Sequence, residues 1–385
     1  MRSSQDVRPG PIGPTGPSDL DAAASTALHP AARETLLAAL DHGWADPRRL
    51  HKQARDARLL LDNAREVVAA ELGLRRDDVT FTSSGTDAVH RGLLGLRLAR
   101  SRVGRHALAS AVEHSAVLHA LEWAAATDGG SHDLVAVDRH ARVDPDAVRE
   151  ALSPTTAVVA VQAANHEVGT LQPVTAVAEA IGDVPLFVDA CAAVGHVDLP
   201  AGWAAAAASA HKWGGPAGVG LLLLRPGTRW RSPFPADDRV DPRSSGFENV
   251  PAALAAAAAL RAVGTERAEV AARQRRLIDR VRGVAAGIED VDVVGDPDER
   301  LPHLVTFSCL YLDGEALVTA LDRRGFGVAS GSACTASTLE PSHVLAAMGA
   351  LTHGNVRLSL HRDTDEETVE AFCRALPEVV AELRR

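Results

Sequence analysis

From Asp19 onward, short apolar runs alternate with amphipathic stretches. The runs Val79–Thr82, His106–Ser110, Leu134–Val137, Ala157–Val161, Leu186–Asp189 and Val219–Leu224 read as buried strands. Between them, Leu118–Ala126, Pro145–Leu152 and Val174–Ile181 carry helical spacing. Such alternation predicts an α/β fold with a mainly parallel, doubly wound sheet. After Pro251 the texture changes. A long helical stretch runs to about Gly287, with an arginine-rich face (Arg273, Arg275, Arg276, Arg280, Arg282). His303–Cys309, a helix from Gly314, Val356–Leu360 and a last helix from Asp365 follow. This predicts a smaller α+β domain over 252–385 joined to a large domain over 19–251. The first residues, Met1–Ser18, are rich in Pro and Gly and read as a disordered arm. They contain no apolar core of a signal peptide.

Charge and cysteine usage narrow the classes. The net charge of −10 argues against a nucleic-acid footprint and against an anionic membrane surface. No apolar run approaches the ~20 residues of a membrane span. The four cysteines, Cys191, Cys309, Cys334 and Cys373, include no C-x-x-C pair. Neither a disulfide scaffold nor a metal site is expected, and a reducing cytoplasm fits best. The 40 basic side chains include only two lysines, Lys52 and Lys212. An arginine can replace a surface lysine's charge, but it cannot form a Schiff base.

Lys52 opens a charged helix and reads as a solvated surface charge. Lys212 lies in Ser209-Ala-His-Lys-Trp-Gly-Gly, a turn of small and polar residues, which favours a positioned amine over a loop lysine. Asp189 ends an apolar strand, where ligands of doubly wound sheets bind. It reads equally as a partner for a protonated heterocycle and as a helix cap. Phe81-Thr-Ser-Ser-Gly-Thr-Asp87 runs from strand to helix and could receive a phosphate. It is neither G-x-G-x-x-G nor a Walker loop. His114 follows a strand and gains interest only in company. Cys191, Cys309 and Cys373 have apolar surroundings and read as core. Cys334, in Ala329-Ser-Gly-Ser-Ala-Cys-Thr-Ala-Ser-Thr338, has small polar neighbours and reads as an exposed nucleophile on a mobile loop, about 329–341. Arg357 lies in an alternating strand, where it would hold a substrate carboxylate or an internal salt bridge.

In order, SSGT, EHSAV, NHEVGTLQP, VDA, SAHK, GFENVP, SGSACT, LEPSHVL and NVRLSLHR resemble the cysteine desulfurases of the NifS/IscS type, pyridoxal-phosphate enzymes of the class V aminotransferase group with the fold type I architecture. The resemblance runs from about Asp19 to the C-terminus. It implies pyridoxal 5'-phosphate bound through Lys212, with Asp189 on the pyridine nitrogen and His114 over the ring. It places Gly85, Thr86, Ser209 and His211 around the phosphate, and Asn165 and His166 near the ring hydroxyl. It implies that Arg357, with Asn165, binds the substrate L-cysteine and that Cys334 accepts its sulfur for transfer to an acceptor protein. A homodimer is implied as well.

Three positions depart from the family pattern, which has Asn at His166, Gln at Ala192 and Thr at Phe247. Those departures bear on cofactor affinity and rate. A selenocysteine lyase, a desulfurase dedicated to one pathway and a non-catalytic scaffold for a sulfur-pathway partner are the competing readings. Against the scaffold stands the joint retention of Lys212, Asp189, His114, Cys334 and Arg357.

Overall fold

The computed structural model describes residues 18–235, 241–330 and 341–385. The strands are β1 (Ser18–Asp19), β2 (Val79–Thr82), β3 (His106–Ser110), β4 (Ser131–Val135), β5 (Thr156–Ala160), β6 (Leu186–Asp189), β7 (Ala205–Ser209), β8 (Gly220–Leu224), β9 (Val291–Val294), β10 (Leu304–Cys309), β11 (Phe326–Gly327) and β12 (Asn355–Ser359). A seven-stranded sheet runs β2-β8-β7-β6-β5-β3-β4, with β8 antiparallel to both neighbours and the rest parallel. The mainly parallel α/β sheet expected from the pattern is therefore present. Its central strands are buried on both faces, which is why they read as unbroken apolar runs.

Four expected elements match the observed bounds: β2, β3, β6 and the helix Val174–Ile181. The expected strand at Leu134–Val137 lies earlier, at Ser131–Val135, because its residues pair in register with His106–Ser110. The alanine run before Lys212 is the strand β7, fully buried between β6 and β8. Alanine's small side chain lets Phe187 and Leu222 pack around it in one cluster.

The 37-residue helix Val250–Ala286 links two cores. Its alanine-rich start packs with the helices Pro30–Leu40 and Lys52–Leu72 in the large core. Its second half sends Leu277, Ile278 and Val281 into a separate core with β10 and β12. That second core surrounds the small antiparallel sheet β12-β10-β9. Leu20 also sits there, and β1 pairs with β11, so the first described residues pack against the C-terminal part of the chain before it enters the large sheet. The expected arm, apart from Ser18 in β1, lies outside the described residues.

Candidate functional site

The parallel strands deliver their carboxyl ends to one side of the sheet, and the order reverses where β5 and β4 flank β3 on opposite sides. Such a reversal opens a crevice. A cavity of about 140 Å³ lies at these strand ends. His114 follows β3, and Gln162 and His166 follow β5. Asp189 ends β6, and Ser209, His211 and Lys212 end and follow β7. Gly85 and Thr86 open the 15-residue helix Gly85–Ala99, and Arg357 enters from β12. Of the expected site residues within the described chain, all but Asn165 line this cavity.

Asn165 is turned away because its amide is used by the backbone. Its Oδ1 accepts from Glu167 N and Val168 N, both at 2.8 Å, and its Nδ2 donates to Val112 O. The neighbouring His166 takes the cavity wall, its ring 4.8 Å edge-on from that of His114. Cys191, read as core, is also corrected: it is only partly buried and lines the cavity. Burial, then the Asp189 charge and a hydrogen bond to that carboxylate, push its thiol well above the usual value. It is therefore a poor nucleophile. Cys309 and Cys373 are core residues, as read. Cys334 lies outside the described residues. The chain on either side of its segment is held: Ala329 and Arg357 exchange backbone hydrogen bonds of 2.7 and 3.1 Å, and Ser342 Oγ donates to Glu167 Oε2.

Lys212 Nζ donates to the carbonyls of Ala23 and Ala24 at 2.5 and 2.8 Å. By contrast, Lys52 pairs with Asp56 on an exposed helix face, as its sequence suggests. Asp189 Oδ1 accepts from Cys191 N at 2.9 Å, so the carboxylate both closes a turn and faces the cavity. His114 caps the helix Ser115–Asp128, and its Nδ1 accepts from Ala116 N. The ring proton of neutral His114 is therefore on Nε2. His211 Nδ1 lies 3.0 Å from Ser209 Oγ, and burial and the Lys212 charge lower its pKa.

Arg357 realises the internal salt bridge: Nη2 donates to Asp21 Oδ1 at 2.8 Å and Nη1 to His166 O. Its buried Nε has no hydrogen-bond partner among the described residues. Asp21 was not legible as a partner, being 336 residues away in the chain.

Two buried carboxyls support the wall. Burial pushes the Glu167 carboxyl up, but hydrogen bonding and charge from His166, with the Ser342 hydrogen bond, bring it below its usual range. Glu113 Oε1 accepts from Ser110 Oγ and Gln162 N, and burial raises its pKa to about 7. The folded state therefore keeps a proton on Glu113 that the unfolded chain releases from about pH 4.5 upward. This contribution to stability is complete below that pH and is lost as pH rises through about 7. Glu113→Gln keeps an acceptor and removes the ionisation. The stability of the native chain relative to this variant should fall between about pH 5 and about pH 8. Thermal melts at the two pH values check this, and an unchanging gap would contradict it.

The cavity's donor set fits a phosphate beside an aromatic ring. A Cβ on Gly85 would come within 2.7 Å of Ser209 Cβ and 2.9 Å of Cys191 Sγ, so the start of this helix is pressed close to the strand ends. A helix N-terminus flanked by Thr86, Ser209 and His211 attracts an anion. Gly85→Ala is expected to displace Ser209 and weaken binding of a phosphate-bearing ligand roughly tenfold, about one charge-assisted hydrogen bond. Titration of the chain with pyridoxal phosphate, the ligand the family resemblance implies, checks this, and unchanged affinity would contradict it.

A larger cavity, about 170 Å³, also touches Lys212 but holds none of the other expected site residues. The described residues contain no cluster able to hold a metal ion, and no helix among them is long and apolar enough to cross a membrane.

The aminotransferase class-V family model matches residues 19–372. The chain belongs to the class-V aminotransferase family. Within it, the chain is 33% identical over 377 residues to the cysteine desulfurase IscS of Dictyoglomus turgidum, covering 95% of each chain. It is 37% identical over 382 residues to an IscS-like cysteine desulfurase of Mycobacterium tuberculosis, covering 95% of this chain and 97% of that one. A solved NifS-like protein superposes with a TM-score of 0.86 at 25% identity, over 95% of this chain and all of the other. Against the family pattern, Ala192 and His166 both line the cavity, and Ala192 offers only a methyl group there.

Proposed function

We propose that the chain is a pyridoxal-phosphate-dependent cysteine desulfurase, converting L-cysteine to L-alanine and carrying the sulfur as a persulfide on Cys334. The observation that carries this reading is the convergence of Lys212, Asp189, His114 and Arg357 on one cavity from separate strands. Lys212 would hold the cofactor through Nζ, Asp189 would face its ring nitrogen, and His114 would cover the ring. Gly85, Thr86, Ser209 and His211 would receive its phosphate. Pyridoxal phosphate, when bound, supplies an electron sink for the bonds at the substrate's α-carbon.

The residues divide the remaining work. Arg357 offers its Nε, and on release from Asp21 its Nη2, to the substrate carboxylate. Lys212 Nζ, once displaced by the substrate amine, takes the α-proton. His114, which lines the cavity and in its neutral form carries its ring proton on Nε2, would serve as a proton donor. The Cys334 thiolate forms an S–S bond to the substrate sulfur. The C–S bond breaks with its electron pair left on carbon, and that carbon takes one proton to become the alanine methyl. The persulfide then passes to an acceptor protein. Incubation with L-cysteine and a reductant tests the reading: alanine and sulfide should appear together, and pyruvate or no product would contradict it.

A homodimer in the cytoplasm fits this reading. Trp44, Leu50, Leu59 and Phe247 are 65%, 89%, 71% and 53% exposed. The loop bearing Trp44 and Leu50 is tied to the Phe247 loop by Arg48, which donates to Gly246 O and Glu248. This apolar face suits a second copy of the chain. By resemblance, Phe247 would face the phosphate held by the partner subunit. Phe247→Thr should then tighten cofactor binding roughly tenfold, by one charge-assisted hydrogen bond. A cofactor titration checks it, and unchanged affinity would remove Phe247 from that place.

A further inference from the structure

Two histidines that do not line the cofactor cavity meet Lys212 nonetheless. His196 lies in the turn that follows β6, and its Nε2 is 3.1 Å from the Lys212 carbonyl oxygen. A carbonyl only accepts, so Nε2 carries the proton. The same turn is pressed against the residue after Lys212. Gly195 has φ +91°, and a Cβ there would fall 2.5 Å from Trp213 Cβ. His303 comes from the C-terminal part of the chain, just before β10, and stacks on His196 with centroids 3.9 Å apart and planes 19° from parallel.

We propose that His196 is a positioning residue for Lys212, and that His303 supports it by stacking on its ring. The hydrogen bond fixes the Lys212 backbone, while the stack fixes the plane of the ring that makes it. The buried Nδ1 of His303 has no hydrogen-bond partner among the described residues, so its face rather than that nitrogen is the contribution. Burial holds the His196 imidazole down to about 4 and His303 well below its usual value. Electrostatic interaction with the neighbouring His196, Arg357, Lys212 and His361 acts on His303 in the same direction as burial. Both rings are therefore neutral at physiological pH and add no cation beside Lys212. Lys212 has to release and regain the cofactor carbon in each cycle of the activity proposed above, and this inference rests on that reading for its purpose. A fixed backbone under a moving side chain keeps Nζ returning to one place. Small displacements of such a group cost rate steeply.

The test uses His196→Leu, His196→Gln, His303→Ala and His303→Phe. Glutamine can donate to the same carbonyl, and phenylalanine offers the same flat face. Hydrogen exchange of the peptide 209–215 is followed in the cofactor-free chain, and pyridoxal-phosphate affinity, kcat and KM in the reconstituted enzyme. His196→Leu should speed exchange and weaken cofactor affinity about tenfold, as expected for one lost hydrogen bond. It should lower kcat more than it raises KM for cysteine. His196→Gln should stay within about threefold of the native chain. His303→Ala should reproduce part of the loss, and His303→Phe should restore it. Native exchange and affinity in a folded His196→Leu variant would overturn the proposal. So would damage from His303→Phe equal to that from His303→Ala, which would give the imidazole a chemical role. Borohydride mapping of the native enzyme separates the two readings. Cofactor fixed elsewhere than on Lys212 would end the functional assignment, while the exchange result still decides whether His196 holds the Lys212 backbone.

Discussion

Replacing Lys212 with alanine should reduce turnover by roughly three orders of magnitude or more, the scale of losing a positioned base together with the cofactor's anchor. The cavity contains no second lysine, and Lys52 is occupied by Asp56 on an exposed helix face. No neighbouring amine can take over. The native protein should carry a reducible bond to the cofactor at Lys212, and the variant should carry none. Borohydride reduction followed by peptide mapping reads this directly. A label on Lys52, or native turnover in Lys212→Ala, would defeat the assignment.

Replacing Cys334 with alanine should leave cofactor binding intact and abolish persulfide formation. In the reaction proposed above, proton abstraction falls to Lys212 and needs no thiol, whereas sulfur capture needs a thiolate. The other cysteines offer no substitute. Cys191 reaches the cavity, but burial and the Asp189 carboxylate keep its thiol protonated. Burial likewise pushes Cys309 up to about 11 and raises Cys373. Cys334→Ala should still give the spectral changes of substrate binding at the native cofactor occupancy. Mass spectrometry after incubation with cysteine should find no protein-bound sulfur. Sulfur on Cys191 at native yield would transfer the nucleophile's role to that residue.

The sheet was legible where side chains are large. Val79–Thr82 alternates large or β-branched apolar residues with threonine, Leu186–Val188 is wholly apolar, and both strand bounds match the pattern. The strand Ala205–Ser209 was not, because a run of alanines has no period and favours helix locally. Pairing on both edges overrides that preference.

The site divides the same way. Lysine scarcity singled out Lys212, and the strand ends singled out Asp189 and His114. Sequence could not tell which of the adjacent Asn165 and His166 faces the cavity. That choice follows from the two backbone N–H groups that capture the Asn165 side chain. Nor could it pair Arg357 with Asp21, since that contact arises only when the segment around Asp21 folds against β12. Cys191 was read as core, but its position two residues after Asp189 places it between a core cluster and the cavity, which it lines. Its proximity to a candidate ligand in sequence was the available signal.

The central claim is that sulfur leaves cysteine at the Lys212 cavity and arrives on Cys334. The most direct measurement incubates the native enzyme with cysteine labelled at sulfur and scores both products in one sample. Alanine should form in step with one labelled sulfur atom on the peptide containing Cys334, at first in equal amounts without reductant. Alanine formed with no labelled sulfur on that peptide, or labelled sulfur there without alanine, would contradict the account.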